Sequence, residues 1–152
     1  MSISRFNIRV YGLLIHAGRL LVSDEVIQGV HVTKFPGGGL EPGEGTLDCL
    51  RREIQEEMGM EASGLNHFYT TDFFQPSAYR PEDQIVSIYY TFQVEDPGSL
   101  GNGERAMGAG ADEAQQFRWI PLDMARIEHV DLPIDRVVMK LLINGENRLK
   151  AS

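Results

Sequence analysis

Cysteine is nearly absent from the 152-residue sequence, which contains only Cys49. A single cysteine excludes an internal disulfide framework and is typical of proteins from reducing compartments. Long hydrophobic runs are also missing, because no apolar stretch approaches the roughly 18 residues that a transmembrane helix needs. The first residues lack the basic start, apolar stretch and small-residue cleavage site of a secretory signal. These absences predict a cytoplasmic protein with no membrane partner.

Positive charge is also scarce, since 14 lysines and arginines stand against 22 aspartates and glutamates. The resulting net charge of −8 repels nucleic acids and phosphate esters unless a metal ion or a local basic cluster intervenes. A nucleic-acid polymer is therefore not an expected partner. A phosphorylated small molecule remains an expected substrate if the protein supplies such a positive centre.

No repeat, low-complexity tract or long linker interrupts the chain, so we expect one domain over residues 1–152. Segments rich in apolar, aromatic and β-branched residues predict six strands, and the first two form a hairpin about His16, Ala17 and Gly18. The strands lie at 6–15, 19–23, 31–35, 65–74, 85–94 and 115–120. Residues 75–83 and 96–113 read as loops.

Two helices complete the predicted fold. The first begins at Thr46 as N-cap and ends at Gly59 in a left-handed C-cap, and the second spans 133–144 with Gly145 beyond its end. Strands on both sides of the first helix and a helix at the end predict an α/β (α+β) fold, a mixed β-sheet sandwiched between helices.

The first helix has an unusual distribution of charge. At about 100° per residue, an apolar stripe forms on one side, and three glutamates occupy the adjoining arc with Glu57 nearest the stripe. The stripe consists of Leu47, Leu50, Ile54 and Met58, and the glutamates are Glu53, Glu56 and Glu57. Like charges at these spacings repel one another.

One interpretation is that the glutamates form an ordinary solvated face. Three features favour a cation site instead: the acids border the core stripe, they are not alternated with lysines, and they follow a glycine turn that adds Glu44. Mg²⁺ and Mn²⁺ prefer oxygen ligands, and Mg²⁺ is often shared between protein carboxylates and substrate phosphates. We therefore expect a divalent cation, Mg²⁺ or Mn²⁺.

Residues 38–60 resemble a known family signature. Gly38, five residues, Glu44, seven residues and then REIQEEMGM match every fixed position of the Nudix box, GX5EX7REUXEEXGU with U apolar. The flanking Phe35-Pro36-Gly37 and the stretch WIPL at 119–122 are also similar to the family. The resemblance implies a Nudix fold that hydrolyses a nucleoside diphosphate linked to another moiety.

The resemblance also implies roles for the residues of the box. Glu53, Glu56 and Glu57, helped by the carbonyl of Gly38, would hold the divalent metal, and Arg52 and Glu44 would order these acids. Family members place the general base either in the box or on a loop before the last strand. Glu56 is the candidate in the box, Glu113 is the candidate on the loop, and Glu104 is a third.

Substrate contacts are less well defined by the sequence. Phe73, Phe74 and Tyr79 can stack on a base, and Arg9 and Tyr11 alternate with apolar residues on the first strand so that they can face a cleft. Packing in the core or in loops is the alternative for all five. Pro76 lies where ADP-ribose pyrophosphatases of the family carry a proline, although a simple turn explains it equally well.

We expect a small-molecule substrate, namely a nucleotide sugar, a dinucleotide or an ADP-ribose-like compound, with nucleoside triphosphates ranked slightly lower. A Nudix-fold sensor that binds nucleotides without hydrolysing them is the alternative function. Dimers are common in the family, so a homodimer is left open.

Overall fold

The structure is a computed structural model that describes residues 2–101 and 115–151, with side chains described up to residue 145. Within these ranges the chain forms seven β-strands and two α-helices. In chain order they are β1 (Arg5–His16), β2 (Arg19–Ile27), β3 (Val30–Lys34), β4 (Gly37–Gly39), α1 (Thr46–Met58), β5 (Ser63–Thr70), β6 (Asp83–Gln93), β7 (Gln116–Pro121) and α2 (Pro133–Ala151).

The sheet is mixed, as the sequence predicted. Its strands follow the order β3-β2-β1-β6-β5, while β4 pairs with β1 and β7 pairs with β2. The β1–β6 pairing is parallel, whereas the other pairings are antiparallel. Strand β1 therefore pairs with three strands, β2, β4 and β6, and it lies at the centre of the sheet.

The two helices cover opposite faces of the sheet because the central strands alternate apolar side chains in both directions. On β1, Tyr11 and Leu13 belong to the core cluster that contains residues of α2. Val10 and Leu14 belong to the cluster that contains residues of α1. This arrangement confirms the predicted sheet between helices.

Helix α1 differs from the prediction at its start and in its apolar stripe. Gly45 is the N-cap, because its backbone N–H donates to Asp48 Oδ2 at 3.0 Å, whereas Thr46 is helical and its hydroxyl pairs with Tyr90 at 2.7 Å. Leu47, which was predicted to belong to the apolar stripe, is 38% exposed, whereas Cys49 is fully buried on the side that faces the sheet. The helix therefore faces the sheet slightly rotated from the predicted orientation. Gly59 adopts the left-handed C-cap that the sequence predicted, with φ 67°.

The predicted ends of three other elements are wrong. Strand β2 continues to Ile27, whereas the sequence predicted an end at residue 23. Helix α2 continues through Gly145 to Ala151, because an isolated glycine costs a helix only about 1 kcal/mol and helix-forming residues follow it. Strand β5 ends at Thr70 rather than at residue 74. Strand β4 was not predicted, since three glycines carry no strand signal by themselves. In the part of the chain that is described, no helix combines the length and apolarity of a membrane span.

Candidate active site

Arg52 on α1 joins three of the acids that the sequence singled out. Its Nε and Nη2 donate to the two carboxylate oxygens of Glu44 at 3.1 and 2.8 Å. Its Nη1 donates to Glu53 Oε1 at 3.1 Å and to Glu56 at 3.3 Å. Nη2 also donates to the carbonyl of Gly39 at 3.2 Å, which ties the helix to β4. A planar guanidinium with five donors is suited to such a set of contacts.

Glu44 is the strongest partner of Arg52. The hydrogen bonds from Arg52, followed by the backbone N–H of Glu41, lower the pKa of Glu44 to about 2. The same contact with Glu44 raises the pKa of Arg52 above its usual value. This bidentate pair is charged at any pH near neutrality and holds the guanidinium in place.

Glu53 lies directly against the backbone of β4. A Cβ atom on Gly38 would stand 2.5 Å from Glu53 Oε1 and 2.7 Å from its Cδ, so only glycine leaves room for this carboxylate. Burial raises the pKa of Glu53, although the positive charge of Arg52 opposes that rise. Gly38 thus provides the space in which Glu53 approaches the main chain.

Glu57 is held from two sides, and neither contact involves Arg52. Its Oε2 accepts the backbone N–H of Gly37 at 3.0 Å, and its Oε1 accepts the side-chain amide of Gln115 at 2.7 Å. Burial raises the pKa of Glu57 to about 7, while the charge of Lys34 and the Gln115 hydrogen bond oppose the rise. As predicted, this glutamate lies close to the core.

The donor chemistry of these residues fits a divalent cation. Three carboxylates and the Gly38 carbonyl are oxygen ligands of the kind that Mg²⁺ and Mn²⁺ prefer, and the space at Gly38 brings one of the carboxylates to the main chain. Within residues 2–101 and 115–151, however, no three acidic, histidine or cysteine side chains converge closely enough to hold a metal ion as they stand. Glu53 and Glu56 contact Arg52, whereas Glu57 contacts Gln115.

A cleft of about 610 Å³ lies beside β4 and is lined by residues of β1, β3, β6 and α2. Its basic lining residues are Arg5, Arg9, Lys34 and Arg80. Arg5 is neutralised by Glu82 and Asp83, each at 2.9 Å. Arg9 forms no ion pair with a described carboxylate. This guanidinium therefore offers a positive charge to an incoming anion.

Three of the five predicted substrate contacts line this cleft, namely Arg9, Tyr11 and Tyr79. Arg9 Nε donates to the hydroxyl of Tyr11 at 3.0 Å, so these two side chains act as one unit. Phe73 and Phe74 do not line the cleft and are 39% and 59% exposed. Both residues stand in an irregular segment after the end of β5 at Thr70, and the part of this connection that lines the cleft begins at Gln75.

The loop that the sequence assigned to residues 75–83 is ordered by side-chain and main-chain hydrogen bonds. Ser77 Oγ accepts the backbone N–H groups of Tyr79 and Arg80, both at 3.1 Å, and the Ile85 N–H donates to Gln75 O at 2.8 Å. Pro76 forms a bridge with β6 and lines the cleft. The loop thereby fixes the wall that carries Tyr79.

The two loop candidates for the general base, Glu104 and Glu113, lie outside the described residues. Sequence reasoning missed Lys34, Glu25 and Gln115, which surround Glu57. Lys34 is 4% exposed and pairs with Glu25 at 3.2 Å. Burial alone would lower the pKa of Lys34, but the negative groups around it raise that pKa. The only sequence signal for these residues was the position of Lys34 directly before Phe35-Pro36.

A family model described as the NUDIX domain matches residues 6–142. The chain belongs to the Nudix family. Solved Nudix structures share its fold: a MutT Nudix hydrolase from Burkholderia pseudomallei has a TM-score of 0.69 at 15% identity, covering 90% of this chain and 98% of that one. A Nudix hydrolase from Nitrosomonas europaea has a TM-score of 0.67 at 18% identity, covering 88% and 86%.

Curated Nudix relatives are more similar in sequence. The nucleoside triphosphatase NudI of Escherichia fergusonii is 32% identical over 97 residues, which cover 60% of this chain and 64% of that protein. The asymmetrical bis(5'-nucleosyl)-tetraphosphatase of Sus scrofa is 30% identical over 135 residues, which cover 78% and 82%. The chain therefore matches slightly less than two thirds of the E. fergusonii NudI and a larger share of the tetraphosphatase.

Proposed function

We propose that this Nudix protein is a metal-dependent hydrolase that cleaves a phosphoanhydride bond in a nucleoside diphosphate derivative. The observation that carries the proposal is the position of the Arg52 cluster beside the cleft. The cluster comprises Arg52, Glu44, Glu53 and Glu56. Arg9 lines the cleft, and its backbone pairs with that of Gly39 on the neighbouring strand β4. The carbonyl of the same Gly39 accepts a hydrogen bond from Arg52. The acids of the cluster and the guanidinium of Arg9 thus meet at one edge of a substrate-sized cleft.

Glu53, Glu56, Glu57 and the Gly38 carbonyl are the groups that would hold Mg²⁺ or Mn²⁺. When bound, such a cation offsets the charge of a pyrophosphate and lowers the pKa of a coordinated water. Arg52 orients the carboxylates of Glu53 and Glu56 through its contacts. Arg9 and Tyr11 bind and position the phosphates from the cleft side, and Tyr79 contacts the remainder of the substrate.

A proton must leave the attacking water. Glu56 is our candidate within the box, because its side chain is 56% exposed, so that water can reach it, and Arg52 Nη1 donates to it at 3.3 Å and orients it. Glu113 is the alternative base. Glu56→Gln also removes a proposed metal ligand, so Glu113→Gln is the substitution that distinguishes the two assignments. Loss of turnover with Mn²⁺ binding retained would assign the base to Glu113, and full turnover would assign it to Glu56.

The names of the relatives point to nucleoside triphosphates, which the sequence analysis ranked slightly lower, and to dinucleoside polyphosphates. Both contain the phosphoanhydride that the site would cleave, as do the nucleotide sugars, dinucleotides and ADP-ribose-like compounds expected from the sequence. We propose a small-molecule substrate from this set and a single domain over residues 1–152. The lone buried Cys49 supports the proposed cytoplasmic location.

A panel of these compounds tests the proposal directly. Purified protein should release phosphate products in a reaction that needs Mg²⁺ or Mn²⁺, and Glu56→Gln and Glu57→Gln should each abolish it. Glu61→Gln, an exposed glutamate just beyond α1, is the matched control and should retain full activity. Ligand-induced thermal shifts without turnover, across the panel and with both metals, would instead favour a nucleotide-binding sensor.

A further inference from the structure

Gln115, immediately before β7, connects the last strand of the sheet to the box helix. Its Nε2 lies 2.7 Å from Glu57 Oε1, 3.0 Å from Ser23 Oγ and 3.4 Å from Glu25 Oε2. Two of these acceptors are carboxylates, which only the NH₂ end of the amide can satisfy. The shortest contact, to Glu57, marks that carboxylate as the main acceptor.

The other residues that contact Gln115, Ser23 and Glu25, are anchored independently of Glu57. Glu25 Oε2 accepts the hydroxyl of Ser23 at 2.9 Å and pairs with the buried ammonium of Lys34 at 3.2 Å. Lys34 also donates to the carbonyl of Phe35 at 3.0 Å. Gln115 is therefore held by a polar network on β2 and β3, and it connects that network to Glu57.

The contact leaves Glu57 able to bind a cation. A carboxylate has about four lone-pair sites, and among the residues that the structure describes two N–H groups, from Gly37 and Gln115, occupy them. Hydrogen bonds of this kind orient carboxylates that ligate metals, and loss of such a partner typically costs roughly 10- to 100-fold in metal affinity or activity.

We propose that Gln115 is a positioning residue that holds Glu57 in its metal-binding orientation. The inference rests on the proposed function, because it takes Glu57 as a metal ligand. It assigns a role to a neutral side chain outside the Nudix box and gives the segment before β7 a direct influence on metal affinity.

The first experiment measures binding of Mn²⁺ without substrate, by electron paramagnetic resonance of the free ion. Gln115→Met keeps the length of the side chain but removes the donor, and we expect its dissociation constant for Mn²⁺ to rise about 10-fold or more. Gln116→Met is the matched control, since the neighbouring Gln116 is exposed, and it should bind Mn²⁺ like the wild type. Unchanged or tighter binding by Gln115→Met would overturn the proposal.

A second measurement guards against misfolding of the variant. In ¹⁵N NMR spectra of the wild-type protein, the side-chain NH₂ signals of Gln115 can be assigned by triple-resonance experiments without use of any variant. They should shift when Mg²⁺ is added and also in Glu57→Gln. Signals that respond to neither change would refute the contact even if Gln115→Met proved unstable.

The two proposals fail in different ways. If wild-type protein hydrolyses a panel compound and Gln115→Met binds Mn²⁺ normally, the role of Gln115 is refuted and the hydrolase remains. If wild-type protein neither binds Mn²⁺ nor turns over any compound, the proposed function is refuted and the role of Gln115 with it.

Discussion

Substitution of Gly38 by alanine is the sharpest test of the site, because the perturbation is a single methyl group. That methyl would stand 2.5 Å from Glu53 Oε1, whereas ordinary contacts begin at 3.4 Å. The difference requires the carboxylate to retreat by about 0.9 Å. The backbone of Gly38 has no positive φ, so alanine introduces no conformational strain there.

The size of the expected effect follows from this displacement. Misplacement of a reacting group by about 1 Å costs roughly 100-fold in rate, which corresponds to about 2.7 kcal/mol of transition-state stabilisation. The stability of the fold should change much less, because the side chain of Glu53 is 15% exposed and can move toward solvent. Gly38→Ala should therefore lower kcat/KM by about 100-fold with little change in Tm.

The assay compares kcat/KM on the best substrate of the panel with thermal unfolding of the same samples. Gly98→Ala is the control, because a Cβ at that position meets no atom within 4 Å. The reasoning is wrong if Gly38→Ala keeps kcat/KM within about 2-fold of the wild type, since a displacement of this size should cost far more.

Three further predictions concern the arginine, a buried acid and the core. Arg52→Lys keeps the charge but cannot reach Glu44 and the helix acids together, so kcat/KM should fall roughly 10- to 100-fold in the same assay. Burial raises the pKa of Asp135 from 3.8 to about 6, so wild-type stability should fall by about 3 kcal/mol as pH rises through that window, as urea unfolding would show. Gly12→Ala places a methyl 2.5 Å from Phe92 Cε1 and should destabilise the protein by roughly 2 kcal/mol in urea unfolding.

Each of these predictions has an outcome that contradicts it. Full activity in Arg52→Lys would mean that catalysis does not require Arg52 to contact Glu44 and the helix acids at the same time. Stability should fall as pH rises because the folded state favours the protonated form of Asp135. Asp135→Asn should therefore flatten the pH dependence of stability in that window. An unchanged slope in this variant would show that Asp135 is not the group responsible. Wild-type stability in Gly12→Ala would show that Phe92 can rotate away at no cost.

The sequence predicted the box and its helix well because both depend on short-range spacing. The order of strands around α1 and the C-cap at Gly59 follow from local patterns in the same way. The N-cap was misassigned because Thr46 has a suitable side chain, and only the structure shows that its hydroxyl is engaged by Tyr90, 44 positions away.

Contacts between distant segments account for the rest. Gln115 and Lys34 carry no motif, and their importance arises because β2, β3 and the start of β7 meet beside Glu57. Phe73 and Phe74 have the composition of a stacking surface, but the part of the β5–β6 connection that lines the cleft begins after them, at Gln75. Amino-acid composition cannot reveal which side chains of a loop face a cleft, because that depends on how the loop packs against distant strands.

The parallel pairing of β1 with β6 has a consequence for how the protein is made. Arg5 meets Asp83 across 78 positions of chain, and the pairing continues to Leu14 and Phe92. During synthesis the ribosome therefore releases β1 long before its main neighbour exists, and every residue of the Nudix box emerges in between. Such high contact order slows folding, and the box helix lacks the support of β6 until that strand has been made.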